Sequence, residues 1–140
     1  KGKGENNVKS AMLASWVSQA SFSPPGLSIA VAKDRAVESL LQKGDSFGLN
    51  ILSSKHLKEP LKRFAKPFAP GEDRFSGLEI TETPNGQIII PESLAWLDAS
   101  VKDRMECGDH YVIYAEVNYG NVLKQNELTA VHHRKSGSNY

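Results

Sequence analysis

Hydrophobic and polar positions alternate with a period of two over long stretches of this chain, and the clearest stretch lies in its second half. From 97 to 106 the odd positions are Leu97, Ala99, Val101, Asp103 and Met105, opposite Asp98, Ser100, Lys102, Arg104 and Glu106. One face is apolar but for Asp103 and the other is wholly polar, as a half-buried strand requires. After a turn at Cys107-Gly108-Asp109, Tyr111, Ile113, Ala115, Val117 and Tyr119 share one face against His110, Val112, Tyr114, Glu116 and Asn118. The two runs predict a hairpin.

Earlier in the chain, "LSIAVA" from Leu27 to Ala32 reads as a buried strand, and "SFGLNIL" alternates Phe47, Leu49 and Ile51 against Gly48, Asn50 and Leu52 as a further one. Between them, Asp34 is a candidate N-cap, Val37, Leu40 and Leu41 form a helical stripe, and Gly44 is a candidate C′ residue. Leu57, Leu61, Phe64 and Ala65 recur at helical spacing in "SSKHLKEPLKRFAK", with Pro60 placing the start of the regular helix near Glu59. "PFAPGEDRFSG" is a loop by its Pro and Gly content, Asn85-Gly86 marks a turn, and "LTAVHHRK" offers a last strand. Six or more strands with two short helices predict a mainly β fold, an antiparallel barrel with helical insertions rather than a βαβ sheet.

The first strand, expected from about Ala11 to Ser21, breaks the rule that one face is apolar. Ser15, Val17, Gln19 and Ser21 share one side, and Trp16, Ser18, Ala20 and Phe22 the other, before Pro24-Pro25-Gly26 turns the chain. Two readings stand. In one, this is an edge strand whose serines meet water. In the other, its polar groups meet a flat ligand with a hydrogen-bonding rim, such as an isoalloxazine ring, with Ser15, Ser18, Gln19 and Ser21 serving the heteroatoms and Trp16 and Val17 the hydrocarbon body. A phosphate on such a ligand needs cations, and Lys33 and Arg35 flank the helix start expected at Asp34.

Composition changes this picture little. With 140 residues, 39% hydrophobic and 24% charged, the chain suits one domain with a real core, and a formal net charge of +1 gives no bulk pull toward nucleic acid or lipid. No run has the roughly 18 apolar residues of a membrane span. The single cysteine, Cys107, allows no internal disulfide and suits a reducing, cytoplasmic setting. The opening "KGKGENNVKS" is expected to be a flexible linker remnant over residues 1–9, with the domain itself spanning 10–140. His132 and His133 point to opposite faces of a strand, so no metal site is expected. The basic run with Lys55, Lys58, Lys62, Arg63 and Lys66 is either a wet face or a surface for an acidic partner such as a ferredoxin. There is no G-x-S-x-G, Walker-A or G-x-G-x-x-G motif to demand an acid, base or nucleophile.

In order along the chain, "ASWVSQASFSPPGLSIAVAKD", "FGLNIL", "DRFSG", "LAWLDASVKDRMECGDHYVIYAEV" and "HHRKSGSNY" resemble the successive motifs of the flavin reductase-like domains with the FMN-binding split-barrel fold. More narrowly, they resemble the C-terminal flavin reductase domain fused to flavodiiron proteins of oxygenic phototrophs. The resemblance implies a homodimer binding FMN, NAD(P)H as electron donor, and flavodoxin-like and diiron domains in a parent chain. It implies that Ser15 to Ser21 line the ring and that Ala32, Lys33 and Arg35 lie near the phosphate, with Asn50 beside them. It also implies that Arg74 and Phe75 close the pocket, that His110 faces the nicotinamide, and that Tyr140 approaches the site or the dimer interface. A non-catalytic FMN-binding relay or dimerisation module is the alternative.

Overall fold

The computed structural model of the chain describes residues 9–65 and 72–131. Tyr140, His132, His133 and Lys66 lie outside the described residues, as do residues 1–8 of the linker expected over 1–9. Seven strands are described: β1 (Val17–Phe22), β2 (Pro25–Ala32), β3 (Ser46–Leu52), β4 (Thr81–Glu82), β5 (Ile88–Ile89), β6 (Ser93–Cys107) and β7 (His110–Val122), with one α-helix, α1 (Lys58–Phe64). Five of them form one antiparallel sheet in the order β1-β2-β7-β6-β3, and β4 pairs with β5 separately.

The long hairpin is the spine of the fold. β6 and β7 pair from Ala95↔Val122 to Cys107↔His110, joined by a two-residue turn whose first member, Gly108, sits at φ +58°. A side chain there would be strained, and primed hairpin turns select glycine for that reason. The register shifts twice, between Asp98 and Ala99 and between Val101 and Asp103. Each bulge adds a residue to one strand and turns its later side chains. The core therefore takes Ala99, Val101, Ile113 and Ala115 from the hairpin, joined by Leu27, Ile29 and Val31 of β2 and by Leu41. Met105, expected on the apolar face, is 60% exposed because it lies beyond the second bulge.

The opposite face of the hairpin is not all wet. Asp98 is fully buried, beneath the β4–β5 hairpin, where it accepts hydrogen bonds from Thr83 Oγ1 and from Asn85 Nδ2 (3.1 Å). Its register partner Gly48 leaves room for that hairpin: a Cβ there would stand 3.0 Å from Gln87 Cβ and 3.3 Å from the Ile88 carbonyl. Thr83, Pro84, Asn85 and Gly86 make the turn, closed by the Gly86 N–H on the Thr83 carbonyl at 2.8 Å.

Two expected elements are corrected. β1 begins at Val17 rather than Ala11, and its turn is at Ser23-Pro24, so that Pro25 and Gly26 already belong to β2. The stretch after β2 is a five-residue 3₁₀ helix, Ala36–Leu40, preceded by Arg35 and without a side-chain cap, so Asp34 does not cap a helix. The strand expected over 128–135 runs beyond the described residues; within them it makes a bridge, Thr129↔Ser53, flanked by the Ser54 and Ala130 N–H groups on the carbonyls of Leu128 and Leu52. α1 starts within a residue of its expected position, with Pro60 in its first turn, where a missing N–H costs nothing.

Candidate functional site

β1 is an outer strand of the sheet, which explains its unusual composition. Val17 packs against the core, whereas Ser15, Ser18 and Gln19 are exposed and Ser21 is half-buried. Ser18 Oγ donates to the Gln19 carbonyl at 3.2 Å. Among the described residues the side chains of Ser15, Gln19 and Ser21 make no hydrogen bond. Their donors and acceptors are therefore unspent. A register shift between Gln19 and Ser21 interrupts the alternation of faces seen in the sequence.

Just before β1, the Trp16 carbonyl accepts the Ala30 N–H at 3.0 Å, while its indole stays 45% exposed and lies against His110, with ring centroids 4.9 Å apart and planes at 36°. His110 opens β7 opposite Ala32, the last residue of β2. Its Nδ1 shares a 2.7 Å hydrogen bond with Asp109 Oδ1. That bond, then the His110 charge, holds the Asp109 carboxyl below the usual range. A carboxylate can only accept, so Nδ1 carries the proton.

The cations expected at a phosphate are distributed differently from one another. The Lys33 ammonium donates to Glu106, and this hydrogen bond raises the pKa of Lys33 and lowers that of Glu106. The Lys33 N–H donates to the Asp109 carbonyl at 2.9 Å, which fixes the backbone beside His110. Arg35 Nε stands 3.9 Å from Asp34 Oδ1. Arg74 is 4% exposed; burial is the main influence pulling its pKa down, Glu72 opposes it, and the charge of Arg35 adds to it. The Arg35 charge thus acts on Arg74 as like on like.

Arg74 and Phe75 are held by α1. Arg74 Nη1 donates to the Arg63 carbonyl at 3.2 Å, and Arg63 Nη1 returns bonds to the carbonyls of Arg74 (3.2 Å) and Ser76 (2.8 Å). The Phe75 ring packs on Phe64, centroids 5.8 Å apart, and its N–H is held by Asp73 Oδ1. Asn50 is placed apart from this group. Its Nδ2 donates to the Ile88 carbonyl at 2.9 Å and its Oδ1 accepts from the Ile90 N–H (2.9 Å) and Ser93 Oγ (3.3 Å), so both ends of the amide tie β3 to β5 and the segment after it.

The sequence pattern did not assign Glu106, Asp109 or Arg63 to this site, where they engage Lys33, His110 and the Arg74 loop. Asp109 was the most accessible of the three, because an acid directly before a histidine in a tight turn is placed to orient it. Unspent polar side chains at the start of β1 and along it, beside an exposed indole, are groups of the kind a flat heterocycle with a hydrogen-bonding rim takes.

The flavin reductase like domain family matches residues 2–138. The chain is 55% identical over 138 residues to diflavin flavoprotein A 1 of Synechocystis sp., covering 99% of this chain and 24% of that protein. It thus spans about a quarter of the length of that relative. Its fold matches the NADH:FAD oxidoreductase SgcE6 of Streptomyces globisporus C-1027 with a TM-score of 0.78 at 24% identity, over 84% of this chain and 70% of that one. It also matches the flavin reductase HpaC, solved with NADP+, with a TM-score of 0.68 at 21% identity, over 85% and 80% of the two chains. The mainly β antiparallel architecture is therefore that of the flavin reductase split barrels, and the chain belongs to the flavin reductase-like domains, of the type carried by cyanobacterial diflavin flavoproteins.

Proposed function

We propose that this domain binds FMN along β1 and reduces it with NADH or NADPH, as one part of a longer flavodiiron chain whose flavodoxin-like and diiron domains receive the electrons. The observation that carries the reading is the exposed Trp16 indole on His110 beside a strand of unspent hydroxyl and amide groups. When bound, the flavin supplies the acceptor for a hydride from the nicotinamide ring. The chain's own residues have simpler tasks.

Ser15, Gln19 and Ser21 bind the heteroatom rim, with Ser18 free to join them by giving up its weak bond to the Gln19 carbonyl. Trp16 and Val17 cover the hydrocarbon part. Arg35 and Arg74 take the phosphate, which relieves the repulsion between them. Ala32 and Lys33 border that end, with Lys33 shared between Glu106 and the anion. His110, its Nδ1 proton fixed on Asp109, presents the opposite edge of its ring to the nicotinamide. Phe75 and the Arg74 loop exclude water from one side. Asn50 serves the site indirectly, by fixing β3. Two such domains pair as a homodimer, which gives β1 a neighbour on its open side.

The test is anaerobic titration of the FMN-loaded protein with NADH and, separately, NADPH, followed at the flavin absorption band. Bleaching by either nucleotide supports the reductase. A flavin that binds but stays oxidised with both overturns the reductase and leaves an electron-relay module, while failure to take up FMN removes both readings.

A further inference from the structure

Beside α1 lies a cleft of about 480 Å³, lined entirely by described residues. The volume is in the range of small-molecule sites. Leu57, Phe64, Leu78, Ile90 and Pro91 give it an apolar lining. Its polar lining is three cations, Lys55, Lys58 and Arg63, with His56 and two carboxylates, Glu59 and Glu92.

Both carboxylates are already committed. Glu59 stands 3.7 Å from Arg63, and Glu92 is bound by Lys124 and lies 3.3 Å from His56 Nε2. The cations are not all matched. Lys55 is turned electrostatically to Glu127, whose carboxyl it helps to hold low. Lys58 has no acidic partner among the described residues. Arg63 spends Nη1 on the loop carbonyls and Nη2 on Glu59, but its Nε–H is shielded from solvent and has no acceptor. The cleft therefore combines an apolar lining with surplus positive charge.

We propose that this cleft is a second ligand site, separate from the flavin, for a small aromatic or aliphatic molecule bearing one carboxylate or sulfonate. The apolar body lies on Leu57, Phe64, Leu78 and Ile90. The anionic group sits between the Lys58 ammonium and the Arg63 guanidinium, attracted by both charges. None of the residues assigned to FMN lines this cleft, so the site stands or falls independently of the reductase reading.

Calorimetric titration with naphthalene-2-sulfonate and with neutral 2-naphthalenemethanol tests it, using the protein with and without saturating FMN. The sulfonate is expected to bind once per chain and more tightly than the alcohol, with FMN changing its affinity less than about twofold. Raising the salt, or Lys58→Glu, is expected to weaken the sulfonate by roughly fivefold and to leave the alcohol unchanged. Leu78→Trp, which fills the cleft, is expected to remove both. Displacement of the sulfonate by FMN, equal binding of the two probes, indifference to Lys58→Glu in the folded protein, or no saturable binding would each overturn the proposal.

Discussion

Asp98 offers the sharpest test of how the fold is held. It is 0% exposed and accepts from Thr83 Oγ1 and Asn85 Nδ2, so it pins the β4–β5 turn onto β6. In Asp98→Ala the buried Thr83 hydroxyl, which still accepts the Gln87 N–H at 3.0 Å, has nowhere to place its own proton. An orphaned buried donor costs about 1–3 kcal/mol, and loss of the Asn85 bond adds about 1 kcal/mol because that exposed amide turns to water. The sum is about 2–4 kcal/mol. Asp98→Asn keeps an acceptor for Thr83 and loses only the Asn85 bond, so it is expected to cost about 1 kcal/mol. Urea denaturation monitored by Trp fluorescence measures both, and each kcal/mol also lowers Tm by roughly 3–5 °C for a chain of this size. The reasoning fails if Asp98→Ala lies within 0.5 kcal/mol of the parent, or if the Ala and Asn variants are equally destabilised.

Other outcomes follow from the same geometry. The Glu106 carboxyl is expected to titrate below its ordinary value near about 4.3 in a carboxyl NMR experiment and to return toward it in Lys33→Ala. Because Glu106 is lowered by Lys33, the pair's contribution to stability is present above the unfolded carboxylate pKa and lost as pH falls through the folded one. Because Lys33 is raised, the pair also persists at neutral pH and disappears only as pH rises through the folded lysine value. Ser53 Oγ donates to Glu127 at 2.6 Å, so Glu127→Ala is expected to speed amide exchange at Ser54 and Ala130, whose N–H groups bridge the closing segment to the end of β3, while leaving the β6–β7 amides unchanged. Phe75→Ala removes the ring packed on Phe64 and is expected to cost about 3–5 kcal/mol, read by the same urea titration.

Period-two alternation made β3 readable to the residue and marked the turn of the β6–β7 hairpin with Ala99, Val101, Ile113 and Ala115 of its buried face, because burial on one face leaves a repeating mark on the sequence. It failed where bulges break the repeat. Met105 belongs to the apolar series by spacing but lies past the second bulge, and Asp98 belongs to the polar series yet is buried, since a second hairpin covers that face. Nothing local to either residue signals this. The 3₁₀ helix was read as α because Val37, Leu40 and Leu41 suit either, and only the missing cap distinguishes them. In the site, the composition of β1 pointed to an open strand with unspent polar groups. The partners of Lys33 and His110 were hidden, because Glu106 and Asp109 reach them only through the register of the hairpin turn. Asn50 shows the converse: a polar residue inside a buried strand asks for partners, and the sequence does not say whether they are a ligand or the backbone of a hairpin.

The central claim is that the flavin ring lies along β1. Amide NMR of the isotopically labelled protein during an FMN titration tests it directly. The account predicts that the largest shifts fall on residues 15–21, on Ala32 to Arg35 and on His110, with the α1 cleft residues Leu57 and Ile90 still. Saturable FMN binding that leaves 15–21 unmoved and shifts residues elsewhere would contradict it.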